Sequence, residues 1–130
     1  MDNGICTITT SQRVDDIVER LTSFLSTRNI KLFATIDHSG EASAVGLLMP
    51  NTKLLIFGNP KAGTPVMISA PTAALDLPLK ILVSQQPDGS SSIHWNDPAW
   101  LQQRHNIWPE FLPNISVIQA LVQKAVAAPS

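Results

Sequence analysis

Residues 86–90, QPDGS, constrain the fold of this chain more than any other stretch of its sequence. Proline presets the backbone angle that starts a turn, aspartate tolerates the next position, and glycine supplies the positive φ that ends it. Apolar residues alternate with other residues before the turn, over 77–84, and again after it, over 91–96. The pattern predicts a β-hairpin with one strongly apolar face.

Side-chain parity selects the register of this hairpin. A two-residue loop at Asp88–Gly89 would pair Val83 with His94 and mix the two faces, because a one-residue slip turns every side chain over. A three-residue loop with Gly89 in a bulge pairs Gln86 with Ser90 instead. The buried face then holds Ile81, Val83, Ile93 and Trp95. The opposite face holds Lys80, His94 and Asn96.

Further elements lie on both sides of the hairpin. Residues 5–10 are rich in β-branched types and suit a first strand, and residues 54–57 form an apolar strand that we expect to be covered on both faces. In residues 31–36, Leu32, Ala34 and Ile36 point one way and Phe33 and Thr35 the other. Short helical turns are expected over 41–45, 66–70 and 72–75.

Three longer helices complete the pattern. Apolar residues at steps of three and four over 14–25 predict a helix that Ser11 caps. Asp97 and Pro98 open a second helix, and a third starts near residues 114–116. Strands and helices in this order predict an α+β fold, with helices covering one face of a largely antiparallel sheet.

Composition and charge exclude several classes of protein. The chain has 130 residues, which suits one domain over 1–130, and its apolar content of 44% suits a globular core. The formal net charge is −1, the basic residues are scattered and tyrosine is absent, so no nucleic acid partner is expected. Signal-peptide features and an apolar run of about 18 residues are also missing from the sequence, so we expect a cytoplasmic protein without a membrane partner.

The stretch FGNPKAGTP, residues 57–65, raises the question of a phosphate-binding loop. Gly58 and Gly63 have the spacing of G-x-x-x-x-G-K-[ST], but Thr64 and Pro65 stand where that motif requires lysine and a hydroxyl residue. A Walker A loop is therefore rejected. A weaker anion site remains open, in which a helix start at Asn59 or Thr64 offers backbone N–H groups and Lys61 adds a charge. The alternative is that the glycines and the capping side chains serve only the local backbone.

Four segments together resemble one bacterial family, the domain of unknown function 302. They are IDHSG, LLIFGNPKAGTPVM, PTAALDLPLKILV and WNDPAWLQQRH, and the resemblance covers about residues 33–105 in the order of the family. It implies a small α+β domain with a TATA-binding-protein-like layering of helices on a curved antiparallel sheet. The family has no established reaction, so the resemblance leaves the function open.

Few residues suggest a chemistry. Cys6 is the single cysteine, and His38, His94 and His105 lack the close spacing of zinc ligands, so neither a metal nor another cofactor is expected. Nucleophile motifs such as G-x-S-x-G are absent from the sequence. An aspartate beside a histidine at a strand end, Asp37–His38, suits a proton shuttle.

Two function classes follow. The first is a non-catalytic module that binds a small polar or anionic ligand, or a protein. Its expected ligand-binding residues are Asp37, His38, Asn59, Lys61, Gly63 and Thr64. The second is a small enzyme with His38 or His105 as general acid–base. A homodimer is also expected, because aromatic and apolar residues crowd a proline-bounded segment. These residues are Trp100, Trp108, Phe111 and Leu112.

Overall fold

The structure is a computed structural model and describes residues 3–127. Its strands are β1 (Ile5–Thr10), β2 (Lys31–Asp37), β3 (Thr52–Gly58), β4 (Leu79–Gln85) and β5 (Ser91–Asn96). Its α-helices are α1 (Val14–Thr27), α2 (His38–Ala44), α3 (Pro60–Ser69), α4 (Pro98–His105), α5 (Leu112–Ile115) and α6 (Val117–Ala127). Two short 3₁₀ helices cover Pro71–Leu75 and Pro109–Phe111.

The five strands form one antiparallel sheet in the order β1-β5-β4-β3-β2. The β4–β5 hairpin has the predicted register, with Ile81 opposite Trp95 and Val83 opposite Ile93. Its turn closes through a hydrogen bond of 2.9 Å from the N–H of Gly89 to the carbonyl of Gln86. Gly89 has a φ of +90°, which explains why a glycine stands there.

Helices pack on one face of the sheet, and the predicted α+β fold is confirmed. Apolar side chains of α1 and α6 meet those of the central strands in the core. The largest fully buried ones include Ile17, Leu21, Leu55, Phe57, Ile81, Ile93 and Leu121. The expectation that β3 is covered on both faces was wrong. Leu55 and Phe57 are buried, but Leu54 and Ile56 on the other face are only half-buried.

The start of α1 also differs from the prediction. Arg13, not Ser11, is the N-cap residue, and its side chain makes no capping hydrogen bond. The helix begins with Val14, which is buried in the core. Asp15 and Asp16 lie in the first turn, where acidic residues favour the helix dipole.

A β-bulge in β2 breaks the simple alternation that the sequence predicted. Leu32 pairs with Phe57 and Ala34 with Ile56, so Phe33 is an extra residue in the ladder. Leu32 and Thr35 therefore share a face of the sheet, although their sequence separation is odd.

The segment after β3 is one continuous helix, α3, rather than a turn followed by a shorter helix. Asn59 is its N-cap and Pro60 its first residue. Pro65 lies inside the helix, where its missing N–H removes one backbone hydrogen bond. Thr64 is consequently a helix residue and not the cap of a second helix.

Candidate functional site

A cavity of about 520 Å³ lies at the end of the sheet where β3 finishes and β4 begins. The start of α3, the segment before β4 and the region around α5 enclose it. Its wall is mainly apolar and includes Ile30, Phe33, Met67, Leu77, Pro78 and Val117. A cavity of this size and composition is suited to a small organic molecule.

Gly58 and the bulge of β2 shape one side of this cavity. A Cβ on Gly58 would lie 3.5 Å from Cβ of Pro78 and 3.7 Å from Cε2 of Phe33. Both are ordinary contact distances, so the rings of Pro78 and Phe33 lie close to the end of β3. Because Phe33 is the extra residue of the bulge, its ring reaches the cavity wall instead of following the alternation of the strand.

Three polar residues, Arg28, Asn59 and Asn114, reach the cavity wall. The Asn114 amide donates to the carbonyl of Ala62 at 2.9 Å, and the Asn59 side chain accepts from the N–H of Lys61 at 3.0 Å. Asn59 thus caps the start of α3, and Asn114 links α5 to α3. Arg28 is exposed and pairs with no carboxylate among the described residues. It is the cationic group of the wall.

The N-terminus of α3 offers little to an anion. The Asn59 side chain engages the N–H of Lys61, and the Asn59 carbonyl accepts from Ala62 and Gly63 at 2.9 Å each. Pro60 has no N–H. The first N–H groups of the helix are therefore engaged within the helix, in contrast to the free groups that the sequence suggested.

The predicted ligand-binding residues of α3 lie on two sides of the helix. Asn59 and Gly63 line the cavity. Lys61 and Thr64 instead line a shallower groove that contains Trp108. The four residues therefore do not line a single pocket.

Asp37 and His38 lie at the opposite end of the sheet. Strands β2 and β3 are antiparallel, with Lys31 opposite Gly58 and Asp37 opposite Lys53. Gly58 is five positions after Lys53 in β3, a distance of roughly 17 Å. The structure therefore does not bring Asp37 and His38 to the rim that Asn59 forms.

Asp37 has a local role that explains its presence. Its carboxylate accepts from Ser39 Oγ at 2.6 Å and from the N–H of Gly40 at 2.9 Å, and it caps α2. The hydrogen bond from Ser39, followed by that from Gly40, holds the pKa of Asp37 below its usual value. His38 is the exposed first residue of α2.

A polar cluster lies beside the cavity, on the segment that leads into β4. Nε2 of His105 lies 2.5 Å from Oδ2 of Asp76, and Nδ1 lies 2.9 Å from Oγ1 of Thr72. Nη1 of Arg104 donates to the same Asp76 oxygen at 2.9 Å. This cluster of Thr72, Asp76, Arg104 and His105 links the 3₁₀ helix Pro71–Leu75 to the end of α4.

Lys80 lies next to this cluster. Its Nζ donates to the carbonyl of Pro78 at 3.0 Å and to that of Asp76 at 3.2 Å. Burial lowers the pKa of Lys80, and the charge of Asp76 opposes this effect. The side chains of Leu77 and Pro78 line the cavity, so one short segment carries a wall of the cavity and part of the cluster.

Sequence reasoning identified His105 and missed the residues that contact it. Asp76 and His105 are 29 positions apart in sequence and no motif links them, so no local pattern indicated the contact. Phe33 was expected to be an ordinary strand residue, and only the bulge in the pairing of β2 with β3 explains its place in the cavity wall.

Two further properties of residues 3–127 bear on function. They contain no group of three or more His, Cys, Asp or Glu side chains placed to hold a metal ion. None of their helices combines the length and the apolar character that crossing a lipid bilayer requires.

The fold defines an α+β domain with a five-stranded antiparallel sheet, and comparison with known proteins places it more narrowly. The chain belongs to the family described as Domain of unknown function DUF302, whose model matches residues 6–128. The crystal structure of an uncharacterized conserved DUF302 protein from Bacillus stearothermophilus has the same fold, with a TM-score of 0.77. At 19% identity, over 96% of this chain and 97% of that one, this similarity establishes the fold alone.

Curated relatives are similar over much of this chain but are longer proteins. The fluoride-specific ion channel FluC 1 of Brucella suis biovar 1 is 36% identical over 107 residues, 82% of this chain and 42% of the relative. The protein of the same name from Brucella abortus biovar 1 is also 36% identical, over 82% of this chain and 40% of the relative. The chain thus spans about two fifths of the length of these relatives.

Proposed function

We propose that the cavity of this protein binds, without catalysis, a compact, mainly apolar molecule with one anionic group. The observation that carries this proposal is the cavity of about 520 Å³ at the end of β3. Cavities for small molecules typically have volumes of about 300–1,000 Å³ and apolar walls with a few polar groups. Both properties support a bound organic molecule here.

Arg28 supports an anionic group on this ligand. Its guanidinium lies 5.7 Å from the centre of the Phe24 ring, and Nη1 lies 3.4 Å from the Phe24 carbonyl. These contacts are weak, so most of the five N–H donors remain available for a carboxylate. The ligand would place its apolar part against Phe33 and Met67 and its acid group at Arg28.

The names of the curated relatives make fluoride a ligand to be tested. Fluoride is a small, strongly hydrated anion, and removing it from water requires several converging donors. The wall of the cavity is mainly apolar, and the first N–H groups of α3 are engaged within the helix. An organic anion therefore suits this cavity better than fluoride.

A titration of the whole chain tests the proposal. The ligands are straight-chain carboxylates of increasing length, the corresponding neutral amides, and sodium fluoride, all at equal ionic strength. We expect the melting temperature to rise with the length of the carboxylate, and fluoride to have only the general effect of salt. Calorimetry should then give the dissociation constants. If no carboxylate raised the melting temperature of the wild type, the proposal would be wrong.

Two arginine variants test whether carboxylate binding depends on Arg28 itself or only on the positive charge of the protein. Arg28→Gln should weaken carboxylate binding by about tenfold or more, since a hydrogen bond to a charged group contributes about 1.5–3 kcal/mol. Amide binding should hardly change. Arg13→Gln is the matched control, because Arg13 lies at the other end of α1, about 22 Å away. Equal losses in the two variants would exclude Arg28 as the recognition residue.

A second candidate function, a small enzyme, is favoured by the contacts of His105. This histidine is buried between a carboxylate and a hydroxyl, an arrangement that suits a general base. His38, the other histidine considered from the sequence, is exposed at the start of α2. Of the two histidines, His105 is therefore the one that supports the enzyme hypothesis.

We also propose that the chain forms a homodimer through an exposed aromatic surface, defined by Ile68, Trp108 and Phe111. All three residues line the groove that contains Lys61 and Thr64. Exposed apolar patches of this kind are frequently interfaces. The same surface would serve if the partner were a different protein.

A further inference from the structure

We propose that Thr72 is a nucleophile, activated by His105 and Asp76, that accepts an acyl group from a small ester. The inference rests on the second candidate function and does not depend on ligand binding in the cavity. Two contacts carry it. Oγ1 of Thr72 lies 2.9 Å from Nδ1 of His105, and Nε2 of His105 lies 2.5 Å from Oδ2 of Asp76. Enzymes activate weak nucleophiles through a hydroxyl, an imidazole and a carboxylate connected in this order.

The direction of the two hydrogen bonds follows from the surroundings of Asp76. Its Oδ2 already accepts from Nη1 of Arg104 at 2.9 Å, and an ionised carboxylate has only acceptors. The hydrogen in the contact between Asp76 and His105 therefore lies on Nε2. In this tautomer the lone pair of Nδ1 faces Thr72, so the hydroxyl of Thr72 donates to it.

Burial decreases from the histidine to the hydroxyl residue. The side chain of His105 is 3% exposed and that of Asp76 is 17% exposed, whereas Thr72 is an exposed residue. Packing therefore fixes the imidazole and the carboxylate, while the residue that would react is accessible from solvent. A catalytic group held by rigid neighbours in this way is preorganised for proton transfer.

The reaction that this geometry supports is acyl transfer to Thr72. Oγ1 of Thr72 attacks the ester carbonyl carbon, and its proton passes to Nδ1 of His105. The C–O bond to the leaving group then breaks, and the leaving oxygen takes that proton back from Nδ1. The acyl group remains as an ester of Thr72. Water, deprotonated by the same Nδ1, hydrolyses this ester and releases a carboxylic acid.

A purely structural role for Asp76 and His105 would give a different result in a labelling experiment. Asp76 and His105 also join the 3₁₀ helix Pro71–Leu75 to α4, and this link stabilises the fold whether or not Thr72 reacts. A structural link does not make the hydroxyl of Thr72 nucleophilic. Covalent labelling of Thr72 therefore distinguishes the two roles.

The chain contains a matched control for this comparison. Oγ1 of Thr7 lies 2.9 Å from Nδ1 of His94, the same separation as in the pair of Thr72 and His105. Within the described part of the chain, no carboxylate forms an ion pair with His94. The two threonine–histidine pairs differ in the carboxylate, so Thr7 should remain unreactive if Asp76 is needed.

The experiment uses p-nitrophenyl acetate and the full chain. Release of p-nitrophenolate measures the rate of the reaction. Intact mass and peptide mapping should show one acetyl group on Thr72. Thr72→Val should abolish acetylation at this position, because valine has no hydroxyl group to accept the acetyl group. Thr72→Ser should retain the reaction, and Thr7→Val should leave it unchanged.

Three outcomes would overturn the proposal. They are acetyl groups only on lysines, a wild-type rate in Thr72→Val, and equal labelling of Thr7 and Thr72. Thr72→Ser keeps the hydrogen bond to His105 and should keep the wild-type melting temperature. Thr72→Val leaves Nδ1 of the buried His105 without this partner, so its melting temperature is measured in parallel. Carboxylate binding by Thr72→Val is measured as well, so that failure of the acyl transfer and failure of the binding function give separate results.

Discussion

His105 on α4 lies 2.5 Å from Asp76, which directly follows the 3₁₀ helix Pro71–Leu75, and the contact joins segments 29 residues apart. Asp76→Ala would leave Nε2 of the buried His105 without an acceptor. We expect a loss of about 2–3 kcal/mol in the free energy of unfolding, because an unsatisfied buried donor keeps its full desolvation penalty. Urea denaturation of the wild type and the variant measures this loss.

Asp16→Ala is the control for this prediction. Asp16 is exposed in the first turn of α1, where an acidic residue contributes less than about 1 kcal/mol through the helix dipole. Equal losses in the two variants would show that the contact with His105 adds no stability.

Gly63 should tolerate alanine, in contrast to what its place in the loop-like sequence suggests. It lies inside α3, and a Cβ there would lie 3.9 Å from Cε of Met67 and 4.0 Å from Cδ1 of Leu77, at ordinary contact distance. Gly63→Ala should stabilise the protein by about 0.5–1 kcal/mol, since glycine is unfavourable in helix interiors. Thermal and urea denaturation provide the measurement.

Gly89→Ala is the opposite case and serves as the control. A Cβ at Gly89 meets no atom within 4 Å, but the φ of +90° disfavours any L side chain. We expect a loss of about 1 kcal/mol or more from backbone strain alone. A stabilised Gly89→Ala, or a destabilised Gly63→Ala, would contradict these assignments.

The sequence predicted those parts of the fold that local chemistry determines. The turn at residues 86–90 and the alternation around it were sufficient to predict that Val83 faces Ile93. Asp97 caps α4 as expected, and its side chain accepts from the N–H of Ala99 at 3.0 Å. In each case the residues that determine the structure are close together in the chain.

The candidate site could not be predicted in the same way because long-range pairing assembles it. Asp37 ends β2 and Asn59 follows β3, but the antiparallel pairing of these strands places the two residues at opposite ends of the sheet. The bulge at Phe33 and the contact of Asp76 with His105 likewise depend on segments that are distant in sequence. Local patterns identified several polar residues but not which of them meet.

The ion pair between Asp15 and Lys53 should make stability depend on pH in the acid range. Nζ of Lys53 lies 2.8 Å from Oδ1 of Asp15. The hydrogen bond from Lys53, followed by that from Asn51, lowers the pKa of Asp15. A carboxyl whose pKa is lower in the folded state stabilises the protein above its unfolded pKa of about 3.9, and this contribution disappears as pH falls through the folded value.

Asp15→Asn tests this dependence. The side chain of Asp15 is 54% exposed, so solvent screens the pair and its contribution should stay below about 1 kcal/mol. The free energies of unfolding of the wild type and the variant should differ near pH 6 and converge below pH 3, or at about 1 M salt. A difference that persists under acid or at high salt would show that the effect is not electrostatic.

Trp108 should control the formation of the proposed homodimer. Its side chain is 53% exposed, and its ring stacks on that of Phe111 with the centres 5.9 Å apart. Trp108→Ser removes the largest apolar side chain of this surface and should convert the dimer to a monomer at micromolar concentration. Light scattering after size-exclusion chromatography gives the mass of each species. Leu48→Ser is the control, because Leu48 is 97% exposed between α2 and β3 and lies outside this groove. A monomeric wild type would refute the dimer, and dissociation by Leu48→Ser alone would exclude the aromatic surface as its interface.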